Sequence, residues 1–228
     1  MGVLEKLQQR IRQKGFKRVC KTLFERYVFF HWELLWTERD LTTPAPEHRL
    51  RAHPPVTRLE ITPDNVEAFA ANFGDRVQTM AELAREGHTG LMYVDEQGQA
   101  VAFIWASTGD YHDRHYYGCT FAIEPGEYFQ FGGEMTRRYF GSELSVTAQA
   151  DMWQLMHDRG YRKLVDVVET HNVPAMKMHL RMGYREQGRV THIYGLFGRW
   201  KFSRQTRYRG ARLEALRTPG VTRPLSSG

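Results

Sequence analysis

Residues 128–145, YFQFGGEMTRRYFGSELS, run from a strand-like stretch through a glycine-containing turn into the start of a helix. A helix start presents unpaired backbone N–H groups and the positive end of the helix dipole, and a small residue there lets a pyrophosphate approach the chain. Arg137 and Arg138 add positive charge just before Gly141. The turn is therefore a candidate anion site. Ordinary strand-to-helix turns also use glycine, so its context has to decide.

Other groupings carry less chemistry. Asp110, His112, Asp113 and His115 have metal-ligand types, but two histidines three apart need further ligands on a rigid element, and residues 107–118 read as a polar, aromatic loop. The chain has no G-x-S-x-G elbow, and neither Cys20 nor Cys119 has a histidine near it in sequence, so covalent nucleophilic catalysis has no positive support. No metal site is expected. Tyr111, Tyr116 and Tyr117 could stack on a sugar or another flat acceptor, although core or loop packing accounts for them better.

The elements around these residues follow from periodicity and punctuation. Leu144, Ala148, Met152 and Leu155 recur at intervals of four, four and three, which predicts a helix over about 142–159 stopped by Gly160. LVDVV at 164–168 reads as a strand covered on both faces. Asn172 then offers a cap, Pro174 suits a first helical turn, and Gly183 ends a helix of about nine residues. Upstream, residues 56–86 give a short strand and two helices, and 91–107 a hairpin around residues 95–98. Further strands are expected near 120–123, 128–135 and 189–197, with the paired glycines Gly132 and Gly133 as a candidate bulge.

Composition bounds the whole. With 228 residues, 41% of them apolar and 13% aromatic, the chain can bury a full core, which excludes disorder, collagen and a disulfide scaffold. Two distant cysteines point to a reducing compartment. No run approaches the roughly 18 apolar residues of a spanning helix, and charges interrupt the first 30 residues, so a soluble, cytoplasmic chain is expected. The net charge of +6 is unevenly spread. Residues 1–30 hold eight Lys or Arg against two Glu, and 199–228 hold eight against one, leaving an acidic middle. Such a body repels nucleic acid while its basic ends can meet an anionic membrane face or an acidic partner. The expected layout is a basic amphipathic helix and strand over 1–41, a Pro-rich linker over 42–55, an α/β domain over 56–200 and a basic, disordered tail over 201–228.

The order of these elements and two motifs resemble the GCN5-related N-acetyltransferase (GNAT) superfamily across about 56–198. Asn172, Ala175, Gly183 and Tyr184 agree with four of the five positions in N-x-x-A-x-x-x-Y-x-x-x-G-F, allowing Tyr184 for Phe. Arg138 and Gly141 fit R/Q-x-x-G-x-G/A, while Glu143 stands where a small residue is expected. The closing stretch 188–204 and the basic N-terminal segment are more loosely similar to acyltransferase-like proteins of bacterial surface-polysaccharide pathways.

The resemblance implies a mixed central sheet flanked by helices and direct transfer of an acyl group from acetyl-CoA, or another acyl-CoA, to a small amine or amino sugar, without a covalent enzyme intermediate. It implies an acyl-CoA pyrophosphate site at Arg137, Arg138, Tyr139, Phe140, Gly141 and Ser142, with Asn172 nearby, and a slot between splayed strands for the pantetheine arm. His179 takes the position of a tyrosine that acts as acid toward the CoA sulfur in many relatives, and Glu134 is the preferred base, with Glu169 and His171 in reserve. The alternatives are a protein N-acyltransferase and a non-catalytic binding module of this fold held by its basic ends, at the inner membrane face or elsewhere.

Overall fold

The computed structural model describes residues 28–44, 46, 51–197 and 199–217. The amphipathic segment expected over 1–27, part of the linker, and residues 218–228 lie outside the described residues. The elements in chain order are strands β1 (Phe29–Asp40) and β2 (Thr57–Glu60), helices α1 (Ala70–Phe73) and α2 (Val77–Arg85), strands β3 (Thr89–Val94), β4 (Ala100–Ser107), β5 (Tyr111–Asp113), β6 (Cys119–Phe121) and β7 (Glu127–Met135), helix α3 (Leu144–Asp158), strand β8 (Lys163–Glu169), helix α4 (Val173–Arg181), and strands β9 (Arg185–Leu196) and β10 (Trp200–Arg207). The fold is the mixed α/β class read from the sequence.

Eight strands form one sheet in the order β10-β9-β1-β8-β7-β4-β3-β2, and β5 and β6 form a separate ribbon. Neighbours in the large sheet are antiparallel except β7 and β8, which α3 joins as a parallel pair. Strand β4 is buried throughout, and alternation divides it between two layers. Phe103 and Trp105 face Phe69, Phe73, Met80 and Phe121, whereas Ala102 and Ile104 face Leu144, Met152 and Met156 of α3. Each fully buried side chain of this size contributes roughly 1.5–3 kcal/mol. Asn172 caps α4 as expected, its side-chain oxygen accepting from the Ala175 N–H at 3.2 Å.

Three boundaries differ from the sequence reading. Strand β1, expected to belong with the N-terminal segment, lies inside the sheet between β8 and β9. Its Leu34, Leu35, Trp36 and Thr37 are all buried, because a strand so rich in large apolar residues covers both faces when neighbours flank it. Arg39 on β1 is buried as well, donating to the carbonyls of Met182, Thr43 and Pro44 and lying 4.2 Å over the Trp153 ring. The tail expected from residue 201 is strand β10 up to Arg207, and Leu213 beyond it is buried against Leu35, Val168 and Leu180. The loop expected over 107–118 contains β5, which pairs with β6.

Candidate active site

Strands β7 and β8 pair only at Glu127–Lys163, Tyr128–Leu164 and Phe129–Val165. Beyond these residues β7 follows β4 and β8 follows β1, so the two part. Backbone N–H and C=O groups on the facing edges thereby lose ladder partners, and such groups demand others. On β7 the register against β4 slips between Phe103 and Trp105, where Gly132 and Gly133 stand opposite Ile104 alone. This is the expected bulge. Gly132 has φ +62, a conformation that glycine adopts without steric cost.

A cavity of about 750 Å³ occupies the opening and takes its walls from both faces of the sheet. Gln130, Gln149, Asp166 and His179 line the side of α3 and α4. The opposite side is aromatic, with Trp105, Tyr111, Tyr116, Tyr117 and Phe131, and carries Asp75, Arg76, Asp113 and His115.

His179 is buried and bonded at both ring nitrogens, Nδ1 to the Ala175 carbonyl at 2.8 Å and Nε2 to Asp166 Oδ2 at 2.9 Å. Two acceptors facing one ring require both nitrogens to carry protons, so the geometry selects the imidazolium. Burial is the largest influence and by itself lowers its pKa, but the Asp166 hydrogen bond and charge, with the Ala175 carbonyl, outweigh it and raise the net value. Both N–H groups of the ring expected to act as acid toward sulfur are thus engaged within the protein. Beside the pair, Gln130 Nε2 donates to Gln149 Oε1 at 2.7 Å and to the Tyr184 hydroxyl at 3.2 Å. The buried Gln130 Oε1 and Tyr128 hydroxyl have no hydrogen-bond partner among the described residues.

Glu134 lies past the bulge, is partly exposed and pairs with Arg76. It does not line the cavity, so the structure does not bring it together with His179. The reserve pair is closer to the aromatic wall. Glu169 accepts from the Tyr117 hydroxyl at 3.2 Å and contacts His171 Nε2 at 2.9 Å. Cys119 is buried, and burial, followed by the charge of Asp113, pushes its thiol up to about 11, which keeps it protonated near neutral pH.

The candidate anion turn departs most from expectation. The N–H groups of Tyr139, Phe140 and Ser142 are bonded to the carbonyls of Thr136, Arg137 and Tyr139, closing successive tight turns. The Glu143 N–H donates to the Arg51 carbonyl at 2.9 Å, and the Arg51 guanidinium donates to the Arg138 carbonyl at 3.1 Å. Gly141, with φ +70, and the exposed Arg137 and Arg138 remain for an anion to approach. Asn172 is spent on its cap and does not line the cavity.

Asp110, His112, Asp113 and His115 do not converge on one point. Asp110 and Asp113 accept backbone N–H groups, and His112 bonds Thr120. Among the described residues the side chains that do converge as metal-capable groups are His31, Glu33 and His192, on β1 and β9 outside the cavity. His31 Nε2 and His192 Nδ1 already bond each other at 3.0 Å, and Arg212 lies 3.5 Å from Glu33. Sequence reading missed Asp166, Gln130, Gln149 and Arg51. Asp166 did leave a signal, as a lone carboxylate inside the apolar run LVDVV.

No family model matches the chain, and no curated protein matches it. Solved structures do. A Drosophila protein superposes with a TM-score of 0.51 at 12% identity, covering 82% of this chain and 59% of that one. A GCN5-related N-acetyltransferase from Sphaerobacter thermophilus gives 0.45 at 15% identity, covering 79% and 56%. A GCN5-related glucosamine N-acetyltransferase region of a fungal multi-domain β-N-acetylglucosaminidase gives 0.48 at 16%, covering 87% and 22%. The chain spans less than two thirds of the length of each of these three.

Proposed function

We propose that the chain is an acyl-CoA-dependent N-acyltransferase of the GNAT type, with a small amine or amino sugar of surface polysaccharide as acceptor. The carrying observation is the parting of β7 and β8 after Phe129 and Val165, with the Gly132–Gly133 bulge on the rim of the cavity it opens. Unpaired edge groups of the two strands suit the amides of a pantetheine arm, and N–H groups at the bulge suit the oxygen on which charge grows as the thioester is attacked. The fit is good along the strands. It is poorer at the 137–142 turn, where three N–H groups are spent internally and Arg51 takes the Glu143 donor.

On the acceptor side, aromatic walls with Asp75 and Asp113 suit a cationic amine on an apolar or sugar frame. An amine must lose its proton before it can attack, and carboxylates at this wall are placed to take it, directly or through water. The Asp166–His179 pair fixes α4 against β8 and sets a positive ring at the cavity wall. It acts on orientation and field, both ring N–H groups being engaged by Ala175 and Asp166.

The test is release of CoA thiol from acetyl-CoA with a panel of amines and amino sugars, beside calorimetric binding of acetyl-CoA. Binding and turnover support the reading. Absence of acetyl-CoA binding removes it and favours a second reading, a non-catalytic binding module, to which the Arg51 contact at Glu143 already gives some weight.

A further inference from the structure

Helices α3 and α4 cover one face of the sheet over its middle, and among the described residues the same face is uncovered toward the tip of the β9–β10 hairpin. Leu35 of β1 packs beneath Met176 and Leu180 of α4. Moving outward by twos along β1, residues 33, 31 and 29 share that face. Each lies in a cross-strand row. Trp200, Leu196 and Phe29 form one row, Phe202, Tyr194 and His31 the next, and Arg204, His192 and Glu33 the third. Tyr194 stacks on His31 at 4.6 Å and on Phe202 at 5.2 Å, so the rings form a continuous surface.

This surface is exposed. Trp200 is 61% accessible, Phe202 50%, and Phe197 at the hairpin tip 60%, held edge-on to Trp200 by a backbone with φ 51. Proteins seldom leave contiguous aromatic surface of this kind without a use. Its charge indicates which use. Arg199 and Arg204 are exposed on or beside it, and the chain enters this corner at Val28, whose carbonyl accepts from the Phe197 N–H at 2.9 Å. The preceding sequence holds eight Lys or Arg against two Glu. A second copy of the corner, or the chain's own N-terminal segment, would bring like charge to like. An anionic surface complements it.

We propose that the β9–β10 corner docks on an anionic lipid bilayer, with Phe197, Trp200 and Phe202 entering the headgroup layer and Arg199 and Arg204 meeting lipid phosphates. Aromatic rings favour that layer, and each basic residue near it adds attraction that salt screens. The inference is independent of acyl transfer: it stands if acetyl-CoA does not bind, and acetyl-CoA binding does not rescue it.

The experiment is co-sedimentation of the full chain with phosphatidylcholine vesicles, with and without about one third phosphatidylglycerol. The expected result is binding to the anionic vesicles that weakens with salt, at least roughly tenfold above that to neutral ones. Trp200 emission should shift to the blue on binding, and the shift should vanish in Trp200→Phe. The double variant Phe197→Ser, Trp200→Ser should keep its melting temperature, since both rings are exposed, and lose most of the binding. Failure to sediment with anionic vesicles overturns the proposal. So does undiminished binding by the double variant, which assigns attachment to the basic ends alone, or a Trp200-dependent dimer in gel filtration, which assigns the corner to a second copy.

Discussion

The Arg51 carbonyl accepts the Glu143 N–H at 2.9 Å, so a segment 92 positions upstream closes the start of α3. The same segment is tied a second time, by the Arg51 guanidinium on the Arg138 carbonyl. A diphosphate at this turn and the Arg51 segment would compete for the Glu143 N–H and for the space beside it. Arg51→Ala removes the second tie, and an exposed hydrogen bond of this sort is worth about 0.5–1.5 kcal/mol at most. Acetyl-CoA should then bind up to about tenfold more tightly by calorimetry. Weaker binding in the variant would mean that the guanidinium holds the phosphates itself.

Gly141 is the point of the turn that a diphosphate would approach most closely. Its φ of +70 costs a residue with a Cβ roughly 1–2 kcal/mol, although a Cβ there meets no atom within 4 Å. Gly141→Ala should therefore lower stability slightly and leave binding measurable. Acetyl-CoA should raise the melting temperature, and Gly141→Glu, which adds a carboxylate at the turn, should abolish that rise. A rise equal to that of the parent protein places the phosphates elsewhere.

Local signals were strong enough to read most elements from the sequence. The apolar spacing of Leu144, Ala148 and Met152 marks α3, the cap at Asn172 marks α4, and Gly132–Gly133 marks the bulge, because each rests on residues close together in the chain. What could not be read is what distant segments do to one another. Nothing local in the sequence placed β1 between β8 and β9, set Asp166 of β8 against His179 of α4, or laid Arg51 on Glu143. Glu134 illustrates the limit: its strand and register were legible, but its partner Arg76 comes from the helical turns before α2.

Because Glu134 points to Arg76 and does not line the cavity, its carboxylate should be dispensable for proton removal. Glu134→Gln should change kcat/KM by less than about threefold, within what loss of an exposed ion pair explains. A drop of a hundredfold or more would restore it as the base. Asp113→Asn at the cavity wall should have the larger effect on the pH profile of turnover.

The Asp166–His179 pair gives a pH signature with a definite sign. The folded-state pKa of His179 is raised above 6.5, so its contribution to stability is complete below about 6.5 and is lost as pH rises through the folded value. Breaking a buried pair by removing one partner costs about 3–5 kcal/mol. Asp166→Asn should therefore destabilise the protein most near pH 6, and the gap from the parent should narrow as pH climbs. Urea unfolding at a series of pH values measures it. A gap that widens with pH would mean that the ring is neutral in the folded protein. His179→Phe, which removes the charge while keeping a ring, should lower kcat well beyond any change in acetyl-CoA affinity.

The bulge separates catalysis from folding most cleanly. A Cβ on Gly132 would sit 3.5 Å from the Trp105 ring, an ordinary contact, so the obstacle to substitution is its φ of +62 and not space. Gly132→Ala should cost roughly 1–2 kcal/mol of stability or move the register slip by a residue. Either response re-aims the N–H groups at the rim while leaving the 137–142 turn intact. The expected result is a fall in kcat of tenfold or more with acetyl-CoA affinity within about twofold of the parent, because the lost interaction belongs to the transition state alone. If affinity and kcat fall together, the bulge serves to bind the donor. If neither changes, the oxygen is held by other groups in the opening between β7 and β8.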